Sequence, residues 1–214
     1  MAVIHEATLS PDKLELASTW LDRLPWTSGL TLTERIGGYR FDDPAGEVGV
    51  ECLLFHATAA DGRTVTLHLP LTYRGAPLEG AEDFLVGTTE HSALGTRWVY
   101  DGCADPVAVH VLLTAVLTGA EQEQLEYHHR SGAVEQREPT VFAKGSGSWK
   151  AGEVPPFDGV SIERDGAIAV VEAGGFELTV NRLLDGVPVA GEETLEVVWP
   201  HGQGVLVGVR RLPA

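Results

Sequence analysis

Between Thr64 and Tyr73, Val65, Leu67, Leu69 and Leu71 alternate with Thr66, His68 and Thr72, a period of two that predicts a β-strand with one apolar face. Pro70 interrupts the run, which predicts a sheet edge or a bulge at that point. Gly75, Pro77 and Gly80 then turn the chain. Thr96–Asp101 reads as a second strand, with Trp98 and Tyr100 on one side and Arg97 and Val99 on the other. Asp105-Pro106 marks a helix start: the carboxylate accepts from the first free amides, where proline's missing N–H is not needed. The run behind it (Val107, Val109, Val111, Leu112, Leu113, Val116, Leu117) is apolar on nearly every face and predicts a buried helix.

Towards the N-terminus, residues 2–9 read as a strand carrying Val3, Ile4 and Leu9. Ser10-Pro11-Asp12 predicts a helix capped by the serine, with Leu14, Ala17, Leu21 and Leu24 on one face and Leu16 and Trp20 widening it. Pro25 is expected to stop this helix, with Trp26 packed under its end. Residues 30–41 and 48–59 predict two strands joined by a turn at Pro44 and Gly46. In the second of these, Val48, Val50, Cys52 and Leu54 share one face, and Glu47, Gly49, Glu51 and Leu53 the other. Asp61-Gly62 is a hairpin signal leading into residues 64–73.

After Leu117 the pattern changes. Residues 119–138 are polar and mixed in charge, either a solvated continuation of the helix or a linker, and a domain boundary is expected there. From Thr140 no helix is predicted. Short apolar runs at 160–163, 168–172, 176–182, 195–199 and 205–209 are separated by turn signals at residues 144–148 (KGSGS), Pro155-Pro156, Asp158-Gly159, Asp165-Gly166, Gly174-Gly175, Asp185-Gly186 and Gly202. They predict a small antiparallel all-β unit. The expected fold class is α+β: a curved antiparallel sheet with one or two packed helices over 1–130, followed by a β-rich unit over 139–214 packed against it.

The 214 residues are 43% hydrophobic and 21% charged, ordinary for a globular chain with a sizeable core. The formal net charge of −16 changes the picture, because it opposes binding to nucleic acid or anionic lipid. It suits a basic protein partner, or serves solubility alone. Residues 1–9 lack a basic stretch followed by an apolar one, and no run approaches the length of a membrane span, so a cytoplasmic location is expected. Cys52 and Cys103 sit in apolar surroundings without metal-ligand spacing and are expected as buried thiols.

Several residues are candidates for chemistry. Glu90-His91, His128-His129, and His68 facing Glu51 across a hairpin are candidate ligands or acid/base pairs, but none has a zinc-site spacing, and His68 is expected on the polar face of its strand. Lys144 precedes its glycines, whereas a phosphate loop places lysine after them at a helix start, so KGSGS reads as a hairpin turn. The fragments GTTEHS and KGSGSW lack the G-x-S-x-G arrangement of a serine nucleophile. Trp20, Trp26, Trp98, Trp149, Trp199, Tyr73 and Tyr100 are read as core, with a sugar-stacking platform as the alternative. Residues 73–97 have no regular period, while Phe84, Leu85 and Val86 anchor them. A long ordered connection of this kind predicts an interaction surface at Tyr73, Arg74, Glu90, His91 and Arg97.

The pieces PLTYRGAPL, LVGT, WVYDG and ADPVAV, followed by LL, resemble in order and spacing the N-terminal cap subdomain of actinobacterial maltokinases, and more closely the stand-alone proteins called maltokinase N-terminal cap-like. The resemblance covers mainly residues 67–117 and more loosely 1–66. It implies a cystatin-like sheet around a helix and a regulatory or interaction role in trehalose, maltose and α-glucan metabolism. The implied partner is a kinase or synthase of that metabolism, and a free cap would act on it in trans. A carbohydrate- or metabolite-binding module is the alternative reading, with a glucan-modifying enzyme third. Phosphoryl transfer needs a nucleotide-binding lysine, a catalytic aspartate and metal-binding aspartates, and no such series follows Leu117. No catalytic, cofactor or metal residue is therefore assigned.

Overall fold

Strand β4 (Gly49–Thr58) is buried on both faces, and that sets the layering of the molecule. The computed structural model describes residues 2–129, 131–184 and 189–213. Around β4 lie β3 (Thr31–Arg40), β5 (Thr64–Arg74), β6 (Leu85–His91) and β7 (Gly95–Asp101). With the short β2 (Leu9–Ser10) they form a curled antiparallel sheet of six strands, ordered β2-β6-β7-β5-β4-β3. Helix α1 (Lys13–Leu21) covers one face. Its Leu16, Ala17, Trp20 and Leu21 pack on Leu53, Phe55 and Ala57 of β4, Leu67, Leu69 and Leu71 of β5, and Val86 and Val99. The opposite residues of β4, Val50, Cys52 and Leu54, meet α2 (Pro106–Thr118).

Helix α2 is buried on its other side too. A second six-stranded antiparallel sheet covers it, formed by β10 (Phe142–Gly145), β11 (Ser161–Arg164), β12 (Ile168–Ala173), β13 (Phe176–Asn181), β14 (Glu193–Trp199) and β15 (Gly202–Arg211) in the order β10-β14-β15-β13-β12-β11. Val171, Leu178, Leu195, Val197, Val207 and Val209 join one core with α2 and the first sheet. The layers thus run α1, first sheet, α2, second sheet.

The expected strands at 30–41, 48–59, 64–73 and 96–101, the buried helix and the five C-terminal strands are all present, and the fold is α+β. Several expectations require correction. Residues 2–9 are two strands, not one: β1 (Ala2–His5) pairs in parallel with β8 (Leu125–His128), whereas β2 pairs with β6. Asp12, not Ser10, caps α1, accepting from the amides of Leu14 and Glu15 while Glu15 returns a bond to the Asp12 amide. The helix ends at Leu21, and Pro25 opens a 3-10 turn, Pro25–Thr27. Residues 73–97 are not one irregular connection, because β6 and β7 form a hairpin there. Gly87, at a register shift opposite Val99, hides the alternation of β6. Residues 119–138 are neither helix nor linker, since β8 and β9 (Val134–Arg137) pair as a hairpin beside β1. The expected Asp185-Gly186 turn lies outside the described residues.

Pro70 is not at a sheet edge. It pairs with Cys52 in mid-sheet, but on its other side β7 pairs only with residues 71–74. Further along that side, the His68 amide donates to the Arg182 carbonyl and the Leu184 amide to the Thr66 carbonyl. Pro70 shares the alternation of His68, so its missing N–H faces the gap between two partners, where no donor is required.

KGSGS is not a hairpin turn either. Lys144 and Gly145 lie in β10, and the backbone beyond runs against the last turn of α2. The Gly147 amide donates to Val116 and the Trp149 amide to Leu117, satisfying carbonyls that a helix end leaves free. A Cβ at Gly145 or Gly147 would lie 2.0 Å from the carbonyl oxygen of Ala115 or Leu117, so glycine alone permits the approach. Gly119 closes α2 in the left-handed region at φ 70°.

Leu112 is 1% exposed at the centre of this helix. Leu112→Ala is expected to cost about 2–5 kcal/mol, and an unchanged denaturant midpoint would contradict the central placement of α2.

Candidate functional site

Four buried polar residues, His68, Asp101, Asn181 and Arg182, gather where the two sheets meet. After β13 the chain turns across the free edge of β5, where Leu67 and Leu183 form an isolated antiparallel bridge. This brings Asn181 and Arg182 over His68. The His68 ring is fully buried, not on a polar strand face, and it does not face Glu51: its register partner is Leu54, and that of Glu51 is Leu71. Its Nδ1 lies 2.9 Å from the Asn181 carbonyl oxygen and its Nε2 2.9 Å from Tyr39 Oη. A carbonyl only accepts, so Nδ1 carries the proton and Nε2 accepts from the tyrosine. Burial, with the nearby Arg182 charge adding to it, pushes the imidazole down to about 4.

Arg182 is also fully buried. It donates from Nη2 to Asp101 Oδ2 at 2.5 Å and from Nη1 to Asp165 Oδ1 at 2.6 Å. Burial opposes its charge, but Asp101 and Asp165 outweigh it and keep the guanidinium protonated. Asp101 also accepts from the Cys103 amide, which fixes the turn into α2. Cys52 and Cys103 are free, buried thiols, and burial pushes Cys103 up to about 12. Burial thereby disfavours the charged forms of His68 and Cys103 near neutrality. Nothing in the sequence around Arg182, a lone cation after an apolar strand, signals this role.

The interaction residues expected from the sequence lie on β5, β6 and β7. Arg74 is engaged internally: its Nε and Nη2 grip both oxygens of Asp105 at 2.6 Å, while that carboxylate caps α2 at the Val107 amide. His91 Nδ1 accepts from the amides of Ala93 and Leu94 in the hairpin turn, and Arg97 donates to the Leu94 carbonyl. Glu90 accepts from Thr96 across the hairpin. Glu90, His91 and Arg97 are therefore together at the hairpin end, and Tyr73 and Arg74 lie close by on β5, opposite Val99 and Trp98 in the middle of β7. His128 meets Glu126 at 3.3 Å, and His129 meets Glu135 at 3.1 Å. Among the described residues no group of three or more histidine, cysteine or acidic side chains is placed to hold a metal. Lys144 pairs with Glu121 on the surface.

A pocket of about 390 Å³ opens beside the end of α2, lined by Trp149, Phe176, Arg211, Glu192 and Glu193 among others. Trp149 and Phe176 meet edge to face at 5.7 Å, and the Arg211 guanidinium lies 5.1 Å from the Trp149 ring centre. Trp149 is thus the one member of the expected aromatic platform that lines this pocket; Trp20 is buried on the sheet-facing side of α1. No described helix is long and apolar enough to cross a membrane.

These elements define an α+β protein in which a curled six-stranded antiparallel sheet carries a helix on each face. Residues 20–105 match the family model of the maltokinase N-terminal cap domain, so this stretch is similar to a maltokinase cap. It runs from the end of α1 through β3–β7 and stops at the residue that caps α2. No curated protein matches the chain.

Two measurements test the buried cluster. Asp101→Asn is expected to cost about 3–5 kcal/mol, because it removes a charged partner of a buried cation; a shift below 1 kcal/mol in denaturant unfolding would contradict this. The unfolded chain protonates His68 near its ordinary 6.5, the folded protein at about 4. Stability should therefore fall as pH drops from about 6.5 to 4, by about 3 kcal/mol from this group, and be insensitive to it above 6.5. His68→Gln should lose that part of the slope in a pH series of unfolding curves.

Proposed function

We propose that the chain is a non-catalytic, cytoplasmic cap-like protein that docks on a catalytic partner, a maltokinase-type kinase or a synthase of trehalose, maltose and α-glucan metabolism, and tunes its mobility. The observation that carries this reading is the match of residues 20–105 to the maltokinase cap domain, which covers the first sheet almost whole. The chemistry of the buried groups supports it: His68 and Cys103 are held far from the protonation balance that acid–base catalysis uses at neutral pH. In this reading a cap-like region over 1–130 is joined to a β-rich unit over 139–214 packed against it. The surface offered to the partner is the side of the first sheet bearing the β6–β7 hairpin, with Glu90, His91 and Arg97 on the hairpin and Tyr73 and Arg74 beside them on β5.

A second reading, a carbohydrate-binding module, is favoured by the pocket that sets Trp149 and Phe176 beside carboxylate and guanidinium groups. Retention on amylose that Trp149→Ala abolishes would support it over docking.

Purified protein with ATP and Mg²⁺ is expected to give no phosphorylation of maltose above background, and turnover lost on Asp101→Asn or Lys144→Gln would overturn the non-catalytic reading. Added to a maltokinase catalytic lobe deprived of its own cap, the protein should co-elute and alter the rate. Glu90→Ala with Arg97→Ala should weaken co-elution while leaving the unfolding midpoint in place, and no co-elution of the parent protein would refute docking.

A further inference from the structure

The chain has 15 lysines and arginines against 31 acidic residues, yet three of those cations converge on one small region. Lys13, the first residue of α1, places Nζ 2.5 Å from Glu51 Oε2 and 5.7 Å from the centre of the Tyr73 ring. Arg40 is the register partner of Glu51 across β3–β4, and Gly49 that of Tyr73 across β4–β5. The Arg40 guanidinium lies over Gly49: a Cβ built there would stand 3.4 Å from Arg40 Nη2 and 3.6 Å from Tyr73 Cβ. Arg35 joins them through a register shift between Arg35 and Gly37, which sets it opposite Phe55, on the same face of the sheet as Glu51.

Within this cluster hydrogen bonding is incomplete. Arg40 Nε is buried without a partner among the described residues, and the Tyr73 hydroxyl, buried nearby, is turned to the Glu51 carboxylate that Lys13 already holds. Glu51, 7% exposed, offers one carboxylate to three cations, and Lys13 already holds one of its oxygens. Burial works to raise the Glu51 carboxyl, but Lys13, Arg40 and Arg35 outweigh it and hold it below the usual range. One negative against three positive charges leaves a local excess of two positive charges on a protein whose net charge is −16. A buried donor without an acceptor is costly. With Lys13, Arg40 and Tyr73 all facing one carboxylate, the cluster has donors to spare for a further oxyanion.

We propose that Lys13, Arg35, Arg40 and Tyr73 form a binding site for an oxyanion, a phosphate or carboxylate group carried by a ligand or by an acidic protein segment. Guanidinium groups present planar forks that match such oxygens, and the tyrosine hydroxyl supplies a further donor. Glu51 holds Lys13 in place and offsets one of the three positive charges. The site lies on the α1 side of the sheet; it shares Tyr73 with the docking surface above, but its test uses none of Glu90, His91 or Arg97.

The test is a titration with inorganic phosphate and, separately, with an oligoglutamate peptide, each against sodium chloride of equal ionic strength. The readouts are the arginine Nε–Hε resonances and the thermal midpoint. One or both probes should shift the Arg40 resonance saturably and raise the midpoint. Phosphate alone would identify a phosphate-bearing source, and the peptide alone an acidic segment. Arg35→Gln, at an exposed position that the fold does not need, should weaken binding about tenfold or more. Tyr73→Phe should weaken binding while leaving stability equal or higher, which a structural hydroxyl would not do. Failure of both probes to move the Arg40 resonance beyond the chloride control, or binding unchanged in Arg35→Gln, would overturn the proposal.

Discussion

Helix α2 presents Val109, Leu112, Leu113 and Val116 to its surroundings with no polar stripe wide enough to face water, so it needs a layer on each side. The first sheet supplies one with Val50, Cys52 and Leu54, the second the other with Leu178, Leu195 and Val207. Its start is fixed by Asp105 and Arg74 and its end by the amides of Gly147 and Trp149. Sequence from both halves of the chain therefore meets on the same thirteen residues. The glycines at 145 and 147 matter because they let backbone touch backbone there.

The polar groups at the meeting of the sheets follow from that geometry. Apolar packing alone leaves the two sheets free to slide, since it has little directionality. Arg182 removes that freedom by reaching Asp101 on the first sheet and Asp165 beside the second. His68 adds a neutral link between Tyr39 and the Asn181 backbone. Burying an ion pair is weak evidence for net stability, but it fixes register, since a displaced partner leaves an uncompensated charge.

Much of this fold was legible in the sequence because the signals were local. Asp105-Pro106 marked the start of α2, and the alternation at 64–73 marked β5. What the sequence hid was set by distant neighbours. His68 sits at a polar position of its strand and is buried because residues 181–182 return over it. In β6, Gly87 sits at a register shift and breaks the period of two by which a strand is recognised. KGSGS carries the composition of a turn, and its role depends on a helix end some 25 residues earlier. The expected interaction residues were placed by the supposed length of a connection. The structure instead shows Arg74 engaged with Asp105 and His91 within a hairpin turn.

Similarity to the maltokinase cap ends at Asp105, yet that side chain is shared between Arg74 behind it and the helix ahead of it. A border drawn by recognisable sequence thus falls on a joint rather than a seam. A fragment stopping there would keep the curled sheet but lose the cover over Tyr39, Val50, Cys52 and Leu54, exposing a greasy underside that invites self-association. The evolutionary corollary is that such a cap cannot be transplanted as the matched residues alone. Whatever chain receives it must also bring an apolar helix and something to lay against that helix's far side.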